Sequence, residues 1–397
     1  MELDLLSNTS FDALFAATYP SQQQLDELSK QALSNGIDLY TNGDHKGAIK
    51  EFKRSIGLSP YSEYTADASN YMAEAYIQLG ENDKAIDTYR NAMSLNPYRD
   101  DTHIKLGNLY FSLDRYNEAA NEYKQAVRLN PSANNYFSLG QSCLYLDRLN
   151  EAETIFAKVR SMEPDKPNGD YGLGLTYSRQ GRYDKAIEHF KKAVSLNAKF
   201  YDGYAEMAYA HIDMGQKDKA EEIKDFLRDK DPALAHTVSE YMYQVSPPVF
   251  SSAYFTEAFG FFPSKTPVST LDTYLENANA SKKYTLKISF DKMMDRAAVE
   301  NLANWNISRS SGSGPGEAYN FGLPVPSTEV NLPTLPLNVY YNADDWTATV
   351  MFQITQNATA DGTIDPTHIE FKFSGKDIYG NKMDTDGDQY SGFSGIA

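Results

Sequence analysis

Three aspartates near the carboxy-terminal end have the spacing of a calcium-binding loop. They are Asp384, Asp386 and Asp388. Carboxylate oxygens in such an alternation suit hard cations, and Gly387 permits the sharp turn that would point them inward. Against a calcium site, Gln389 replaces the usual turn glycine, and Gly395 stands where a bidentate glutamate belongs. The alternatives are therefore calcium or a solvated acidic turn, and the two departures favour the turn.

Other candidates for catalysis or metal binding are weaker. The six histidines are scattered, without a pair at helical metal-ligand spacing: His45, His103, His189, His211, His236 and His368. The single Cys143 can form neither an internal disulfide nor a cysteine zinc cage. Gly172 and Gly174 resemble half of a phosphate loop, but no strand precedes them and no Lys-Ser or Lys-Thr follows. We therefore predict a protein that is not an enzyme, with calcium as its one candidate cofactor.

Composition limits the partners. The 397 residues allow two or three domains. Their net charge of -17 repels phosphate backbones, which argues against nucleic acid. The mean hydropathy is -0.56, and no stretch has the roughly 18 consecutive apolar residues of a membrane helix.

Residues 1–24 carry Glu2 and Asp4 where a secretory signal would carry basic residues, and we expect a weakly ordered or short helical segment there.

A repeat of 33 to 37 residues organises the region that follows. Its markers are Pro60, Pro97, Pro131, Pro164, Ala198 and Pro232. Twelve residues before each marker stands an alanine: Ala48, Ala85, Ala119, Ala152, Ala186 and Ala220. Eight residues before five of them stands an aromatic: Phe52, Tyr89, Tyr123, Phe156 and Phe190, with Lys224 in the sixth. Small residues occur upstream: Gly36, Ala73, Gly107, Gly140, Gly174 and Ala208. This pattern predicts pairs of amphipathic helices that stack into a continuous core.

These residues resemble the tetratricopeptide repeat over about residues 29–234, as six units. The resemblance implies a right-handed α-solenoid. We expect the two helices of each unit to be joined at Gly43, Gly80, Asp114, Asp147, Gly181 or Gly215. The aromatic should seal the gap between neighbouring units, and residues 232–245 have the helical pattern of a cap. Cys143 occupies the buried aromatic position of its unit, which favours packing over redox chemistry.

The same resemblance implies that a peptide docks in the inner groove of the solenoid. Projection of the repeat places these candidates there: Tyr40, Asn70, Glu74, Asn108, Phe111, Phe137, Gln141, Tyr171 and Tyr209. Aromatic and amide side chains suit apolar anchors and peptide backbones. The groove lacks the Lys, Asn and Arg set of the chaperone-type carboxylate clamp, and part of the candidate set is expected to pack between repeats instead.

The carboxy-terminal part has a different pattern. Residues 247–280 contain prolines and aromatics without a helical period, and we expect a boundary segment. Alternating apolar residues then predict strands at 284–290, 337–341, 347–354 and 368–373. The phrases around Phe290, Met294, Trp305, Asp377 and Asn381 resemble the immunoglobulin-like β-sandwich domains of bacterial surface and secreted proteins. A glycine-rich insert at 310–336 should form a loop, which leaves the middle strand order open.

The sequence thus predicts a weakly ordered segment (1–24), a solenoid with a capping helix (25–246), a boundary segment (247–280) and an immunoglobulin-like β-sandwich (281–397). We expect a non-enzymatic scaffold that binds a protein or peptide segment in the groove. The alternative is a structural or adhesive surface component that acts through the sandwich. The sandwich resemblance favours an extracytoplasmic location reached without a cleavable signal, with the cytoplasm as the alternative. Neither the partner nor the oligomeric state follows from the sequence.

Overall fold

A computed structural model of the protein describes residues 21–260, 262–312, 317–391 and 395–396. These residues divide into two units, one reaching Ser239 and the other starting at Glu240. We call them the helical unit and the β-rich unit. The division falls inside the last long helix, before residue 246, where the sequence predicted the solenoid to end.

Thirteen long helices account for most of the described chain up to residue 245. They are α1 (Gln22–Thr41), α2 (His45–Leu58), α3 (Tyr64–Gln78), α4 (Asn82–Leu95), α5 (Asp100–Ser112), α6 (Tyr116–Leu129), α7 (Ala133–Tyr145), α8 (Leu149–Met162), α9 (Asn168–Arg179), α10 (Tyr183–Leu196), α11 (Tyr201–Asp213), α12 (Lys217–Arg228) and α13 (Pro232–Val245). Among the described residues, no helix is both long and apolar enough to cross a membrane.

The first helix begins inside the segment that was expected to be weakly ordered or a short helix. Ser21 caps α1 by accepting a hydrogen bond from the Gln24 backbone N–H, and the Gln24 side chain accepts one from the Ser21 N–H. This reciprocal capping satisfies two donors that would otherwise lack partners at a helix start. Residues 22–24 are therefore helical, and the rest of that prediction, residues 1–20, lies outside the described chain.

The six predicted turns lie where the sequence places them. The chain has a positive φ at each: Gly43, Gly80, Asp114, Asp147, Gly181 and Gly215. Glycine adopts this conformation without steric cost, and aspartate tolerates it better than most residues. Helices α1 to α12 therefore form six pairs, and we call α1, α3, α5, α7, α9 and α11 the first helices.

Within a pair, an aromatic ring of the second helix lies against a residue of the first helix that has little or no side chain. A Cβ atom built on Gly36 would lie 2.4 Å from Phe52 Cε1, and one built on Gly107 would lie 2.5 Å from Tyr123 Cε1. Both distances are too short for carbon atoms that are not bonded. The ring therefore fits only if the residue at this position has no side chain.

This packing corrects the role that the sequence gave to the aromatic. The ring fills the space inside its own pair and also reaches the next one. Phe52 stacks on Tyr71 of the following pair at 5.9 Å between ring centroids, and Phe156 lies against Gly172 of the following pair. One side chain thus contributes to packing both within and between pairs.

The last pair departs from the rule and compensates for it. Lys224 stands at the aromatic position and forms an ion pair with Glu221. Phe226, two residues later, packs against Tyr204 of α11 with 4.7 Å between ring centroids. Helix α13 follows, where the sequence predicted a capping helix, and its Ala235 and Val238 are buried.

The β-rich unit contains ten described strands and two short helices. They are β1 (Phe250–Phe255), β2 (Thr266–Pro267), α14 (Val268–Leu271), β3 (Ser281–Phe290), α15 (Arg296–Glu300), β4 (Trp305–Arg309), β5 (Asn338–Asn342), β6 (Thr347–Thr355), β7 (Thr363–Ile364), β8 (Ile369–Phe373), β9 (Gln389–Ser391) and β10 (Gly395–Ile396). The four strands predicted from alternation correspond to β3, β5, β6 and β8.

These strands form two four-stranded antiparallel sheets and one two-stranded sheet. The orders are β1-β3-β6-β5, β10-β9-β8-β4 and β2-β7. The longest register pairs β3 with β6, from Ser281 opposite Thr355 to Ser289 opposite Thr347. Both four-stranded sheets contribute to one core, because Phe352 of β6 lies 5.1 Å from Phe371 of β8 between ring centroids.

The predicted boundary segment belongs to this unit. Strand β1 pairs with β3, and the buried side chains of Phe250, Phe259 and Leu275 lie in the shared core. The sequence missed β1 because a shift in register between Phe250 and Ser252 interrupts the alternation that marks a strand.

The glycine-rich insert is anchored just after residues 313–316. Residues 313–316 lie outside the described chain, but Tyr319 and Asn320 are buried. The backbone N–H of Asn320 donates to Asp365 Oδ2 at 2.6 Å, and the Asp365 N–H donates to Tyr319 Oη at 2.9 Å. This part of the insert is therefore held by side-chain and backbone hydrogen bonds, without forming a hairpin strand.

Two alanine substitutions separate ring packing from helix propensity. Gly107→Ala should destabilise the helical unit by about 1–3 kcal/mol, because the new methyl group collides with the Tyr123 ring. Gly57→Ala is the matched control, since its Cβ would have no heavy atom within 4 Å, and it should stabilise α2 by about 0.4–1 kcal/mol. Urea unfolding followed by far-ultraviolet circular dichroism measures both. Equal effects at the two positions would contradict the ring contact.

Candidate peptide-binding groove

Three successive first helices line an open cleft in the helical unit. Its volume is about 400 Å³. Helix α7 contributes Gln141, Leu144 and Tyr145; α9 contributes Tyr171, Leu175, Ser178 and Arg179; and α11 contributes Glu206 and Asp213. The cleft thus combines aromatic, aliphatic, amide and charged groups from three repeats.

Packing behind the cleft holds its two tyrosines in place. Tyr171 contacts the Phe200 ring edge to face, with 4.8 Å between centroids. Tyr145 stacks on Tyr116 and meets Phe111, each at 4.8 Å between centroids. Aromatic pairs in these geometries add stability beyond their buried area, so the rings are arranged before a ligand arrives.

Glu206 is the unusual charge in the cleft. Its carboxylate has no hydrogen bond or ion pair within the described part of the chain. Burial raises its pKa to about 7, the negative charge of Asp202 acts in the same direction, and Arg179 opposes the shift. The pKa of Tyr171 is also raised, first by burial and then by Glu206 and Asp202. The electrostatic surroundings of Glu206 therefore leave its negative charge incompletely compensated.

Two of the predicted groove residues, Gln141 and Tyr171, line the cleft. Phe111 lies beside it, in contact with Tyr145. The side-chain amide of Gln141 makes no hydrogen bond within the described residues. Its donor and acceptor atoms are therefore available to a group from another molecule.

Asn70 and Glu74 are engaged with the neighbouring repeat. Asn70 is buried; its Oδ1 accepts a hydrogen bond from Thr102 at 3.1 Å, and its Nδ2 donates to Asp101 at 3.1 Å. Glu74 pairs with Lys105. These contacts hold α3 and α5 together, so Asn70 has a packing role and not the exposed position that the projection gave it.

The remaining predicted groove residues lie outside the cleft and contact other parts of the helical unit. Asn108 accepts a hydrogen bond from Tyr123 Oη at 2.8 Å, and Tyr209 shares one with Thr237 at 3.0 Å. Tyr40 contacts Tyr71, with 6.2 Å between ring centroids, and Phe137 contacts Phe156 at 5.6 Å. These four side chains therefore take part in packing between helices, and the contacts of Asn108 and Phe137 lie within their own pairs.

Four residues of the cleft were missed. The projection of the repeat onto the groove also gives Leu144, Leu175 and Ser178 of the cleft, together with Ala205 and Ile212 of α11. Tyr145, Arg179 and Asp213 recur at a spacing of 34 residues, one position after Leu144, Ser178 and Ile212. Glu206 follows the projected Ala205 in the same way. A projection that included the next residue of each helix would have found them.

Cys143 and Gly174, which the sequence analysis considered for chemistry, lie in the packed interior. Cys143 is buried, and burial raises the pKa of its thiol to about 11, so the reactive thiolate is scarce near neutral pH. A Cβ built on Gly174 would lie 2.4 Å from Phe190 Cε1. Both Cys143 and Gly174 therefore serve packing.

The acidic turn does not gather its three carboxylates. Asp388 is buried and lies 3.2 Å from Lys372 Nζ, and Asp384 accepts a hydrogen bond from the Asp386 backbone N–H at 3.1 Å. Among the described residues, no three His, Cys, Asp or Glu side chains come together as metal ligands. The calcium site stays a prediction, and this arrangement does not support it.

Sequence models of the tetratricopeptide repeat match three ranges of the helical unit. One described as "Tetratricopeptide repeat" matches residues 171–200, and one described as "TPR repeat" matches residues 73–114 and 107–144. The cleft-lining helices α7 and α9 fall almost entirely within these ranges. The matches support tetratricopeptide repeats in this part of the chain.

Curated relatives match part of the chain. The chain is similar to the general transcriptional corepressor trfA of Dictyostelium discoideum, with 31% identity over 31% of this chain and 9% of that protein. It is similar to the BBSome complex member BBS4 of Bos taurus, with 28% identity over 40% of this chain and 30% of that one. The photosystem I assembly protein Ycf3 of a Synechococcus strain is 30% identical over 24% of this chain and 64% of its own length. The chain thus spans less than a third of the first two relatives.

Solved structures of tetratricopeptide repeat proteins align with about half of the chain. A tetratricopeptide repeat protein from Parabacteroides merdae aligns with a TM-score of 0.49 and 17% identity, over 54% of this chain and 86% of that one. YrrB, described as a TPR protein with an unusual peptide-binding site, aligns with a TM-score of 0.37 and 18% identity, over 48% and 97%.

The raised pKa of Glu206 predicts a pH dependence of stability. The folded state retains the Glu206 proton up to about pH 7, whereas the unfolded chain releases it near the ordinary value of 4.5. The free energy of unfolding contributed by this group therefore falls as pH rises between those values. Glu206→Gln removes the titration and should be more stable than wild type at pH 8, by on the order of 1 to 3 kcal/mol, with a smaller difference at pH 5.

Urea unfolding of the full chain at both pH values measures this difference. Glu222→Gln, which removes an exposed carboxylate of α12 outside the cleft, controls for the loss of net charge. Parallel pH curves for wild type and Glu206→Gln would show that the carboxyl titrates normally.

Proposed function

We propose that the helical unit is a non-enzymatic scaffold that binds an extended segment of another protein along its first helices. The cleft between α7, α9 and α11 is the observation that carries this proposal. Three repeats contribute to it, so a bound segment would contact several helices at once. Such a surface suits an extended chain better than a compact small molecule.

The side chains of the cleft match the needs of a peptide. The free amide of Gln141 can both donate to and accept from a peptide backbone. The fixed rings of Tyr145 and Tyr171 offer flat apolar surfaces to side chains at a low entropic cost. Recognition would then combine backbone hydrogen bonds with one or two side-chain anchors.

The comparisons support a role in protein assembly. Relatives that share the repeats are named as a corepressor, a member of the BBSome complex and an assembly protein. Each of these names belongs to that protein. For this chain they support binding to proteins as the general role of its repeats.

Catalysis has little support from the ionisable side chains. His103 lies 2.7 Å from Glu122, and His189 lies 2.7 Å from Asp170. These pairs join the two helices of one repeat and lie outside the cleft. A structural role accounts for them.

We propose an immunoglobulin-like β-sandwich for the β-rich unit. Two four-stranded antiparallel sheets with a shared core support this assignment. Trp305, at the start of β4, packs against Phe373 of β8 at 4.6 Å and stacks on Phe250 of β1 at 6.4 Å between ring centroids. The extracytoplasmic location stays a prediction from the sequence resemblance.

A steric variant tests the groove. Phage-displayed random peptides selected on the full chain provide the ligands. Ser178→Trp places a large ring in the cleft and should weaken binding of the selected peptides at least about tenfold, which corresponds to about 1.4 kcal/mol. Ser195→Trp makes the same change on the exposed side of α10 in the same repeat and should bind like wild type.

Fluorescence anisotropy measures the affinities, and circular dichroism melts establish that both variants fold. Selection of no peptide, or equal binding by Ser178→Trp and wild type, would overturn the proposed groove.

A further inference from the structure

The charges around the cleft are predominantly negative. Glu206 and Asp213 line it, and Asp202 lies close enough to Glu206 to raise its pKa. Arg179 is the one cation among the lining residues. Carboxylates therefore outnumber cations at this site, in agreement with the net charge of -17 for the whole chain.

The carboxylate of Glu206 lacks a partner in the described chain, whereas Asp213 has one. Asp213 accepts a hydrogen bond from Tyr183. Glu206 is partly buried, and a carboxylate removed from water without hydrogen bonds is costly. A cation at hydrogen-bonding distance would recover much of that cost. The Glu206 carboxylate can therefore accept an interaction from a group on another molecule.

The tyrosines beside Glu206 suit the stem of a basic side chain. Elsewhere in the helical unit, cations already lie over tyrosine rings: Arg115 lies 4.5 Å from the Tyr110 centroid, and Arg182 lies 4.7 Å from the Tyr177 centroid. Within the described chain, neither Tyr145 nor Tyr171 carries such a cation. Lysine and arginine can lay their methylene groups on such rings while the charged head reaches a carboxylate.

We propose that the cleft selects a partner segment carrying a lysine or arginine side chain, with the charged head on Glu206 and the stem between Tyr145 and Tyr171. This inference rests on the proposed peptide groove and names the side chain that it recognises. A carboxylate ligand would have Arg179 as its counterion instead, but it would face the repulsion of Glu206, Asp202 and Asp213. The balance of charge favours a cation.

A double-mutant cycle tests the contact. The probes are the peptides selected by phage display on the full chain, each resynthesised with norleucine in place of every lysine or arginine in turn. Norleucine keeps a hydrocarbon stem and removes the charge. At one peptide position, norleucine should weaken binding to the wild type about tenfold or more. Glu206→Gln should weaken binding of the parent peptide similarly and bind the norleucine peptide as the wild type does.

The matched control is Glu222→Gln, which changes net charge equally and lies outside the cleft; it should behave like wild type toward every peptide. Circular dichroism melts establish folding of each variant.

The outcomes separate this inference from the groove itself. If peptides bind and Ser178→Trp blocks them while Glu206→Gln changes nothing, the groove stands and the basic-residue inference is overturned. Selected peptides without lysine or arginine, or peptides whose binding depends on Arg179 and a carboxylate, overturn it as well. If no peptide is selected, both the groove and this inference fail.

Discussion

Rings packed against residues with small side chains hold the helix pairs together. Phe52 on Gly36, Tyr123 on Gly107, Phe156 on Gly140 and Phe190 on Gly174 repeat the same contact along the helical unit. Each ring needs the space that a larger side chain would fill. Because the same ring also reaches the following pair, as Phe156 reaches Gly172, this contact determines how closely successive pairs approach. The stacking of the helices depends on it.

The cleft follows from that stacking. Equal spacing of the pairs brings Tyr145, Arg179 and Asp213 to equivalent positions on α7, α9 and α11. Glu206 joins them with its carboxylate partly buried and without a partner in the described chain. A folded protein tolerates such a group when function compensates for its cost, and we infer that a basic side chain of a partner provides that compensation. The same carboxyl then links peptide binding to the pH dependence of stability.

Much of the fold could be predicted because turns at positive φ and the alternation of side chains in strands place strict demands on the local sequence. Gly43 and Asp114 turn the chain at a positive φ that few residues accept, and strands β3 and β6 alternate regularly. Strand β1 could not be predicted, because its irregular register hides the alternation. Lys224 breaks the aromatic rule, and only the structure shows Phe226 packing nearby in its place.

The site was less predictable than the fold for a related reason. Projection of one repeat at a time found Gln141 and Tyr171, since both lie on the face of a first helix that lines the cleft. It misplaced Asn70, which Thr102 and Asp101 of the next pair engage. It missed Glu206, whose burial depends on how three helices from different repeats meet. Contacts between repeats are not contained in the pattern of any single repeat.

Hydrogen–deuterium exchange of the full chain with and without a selected peptide tests the central claim, that a protein segment binds along the first helices. The account predicts slower amide exchange in α7, α9 and α11 when the peptide is bound, with little change in α8, α10 and α12. It also predicts no change in the sheets of the β-rich unit. Protection confined to the second helices or to the β-rich unit would contradict the account.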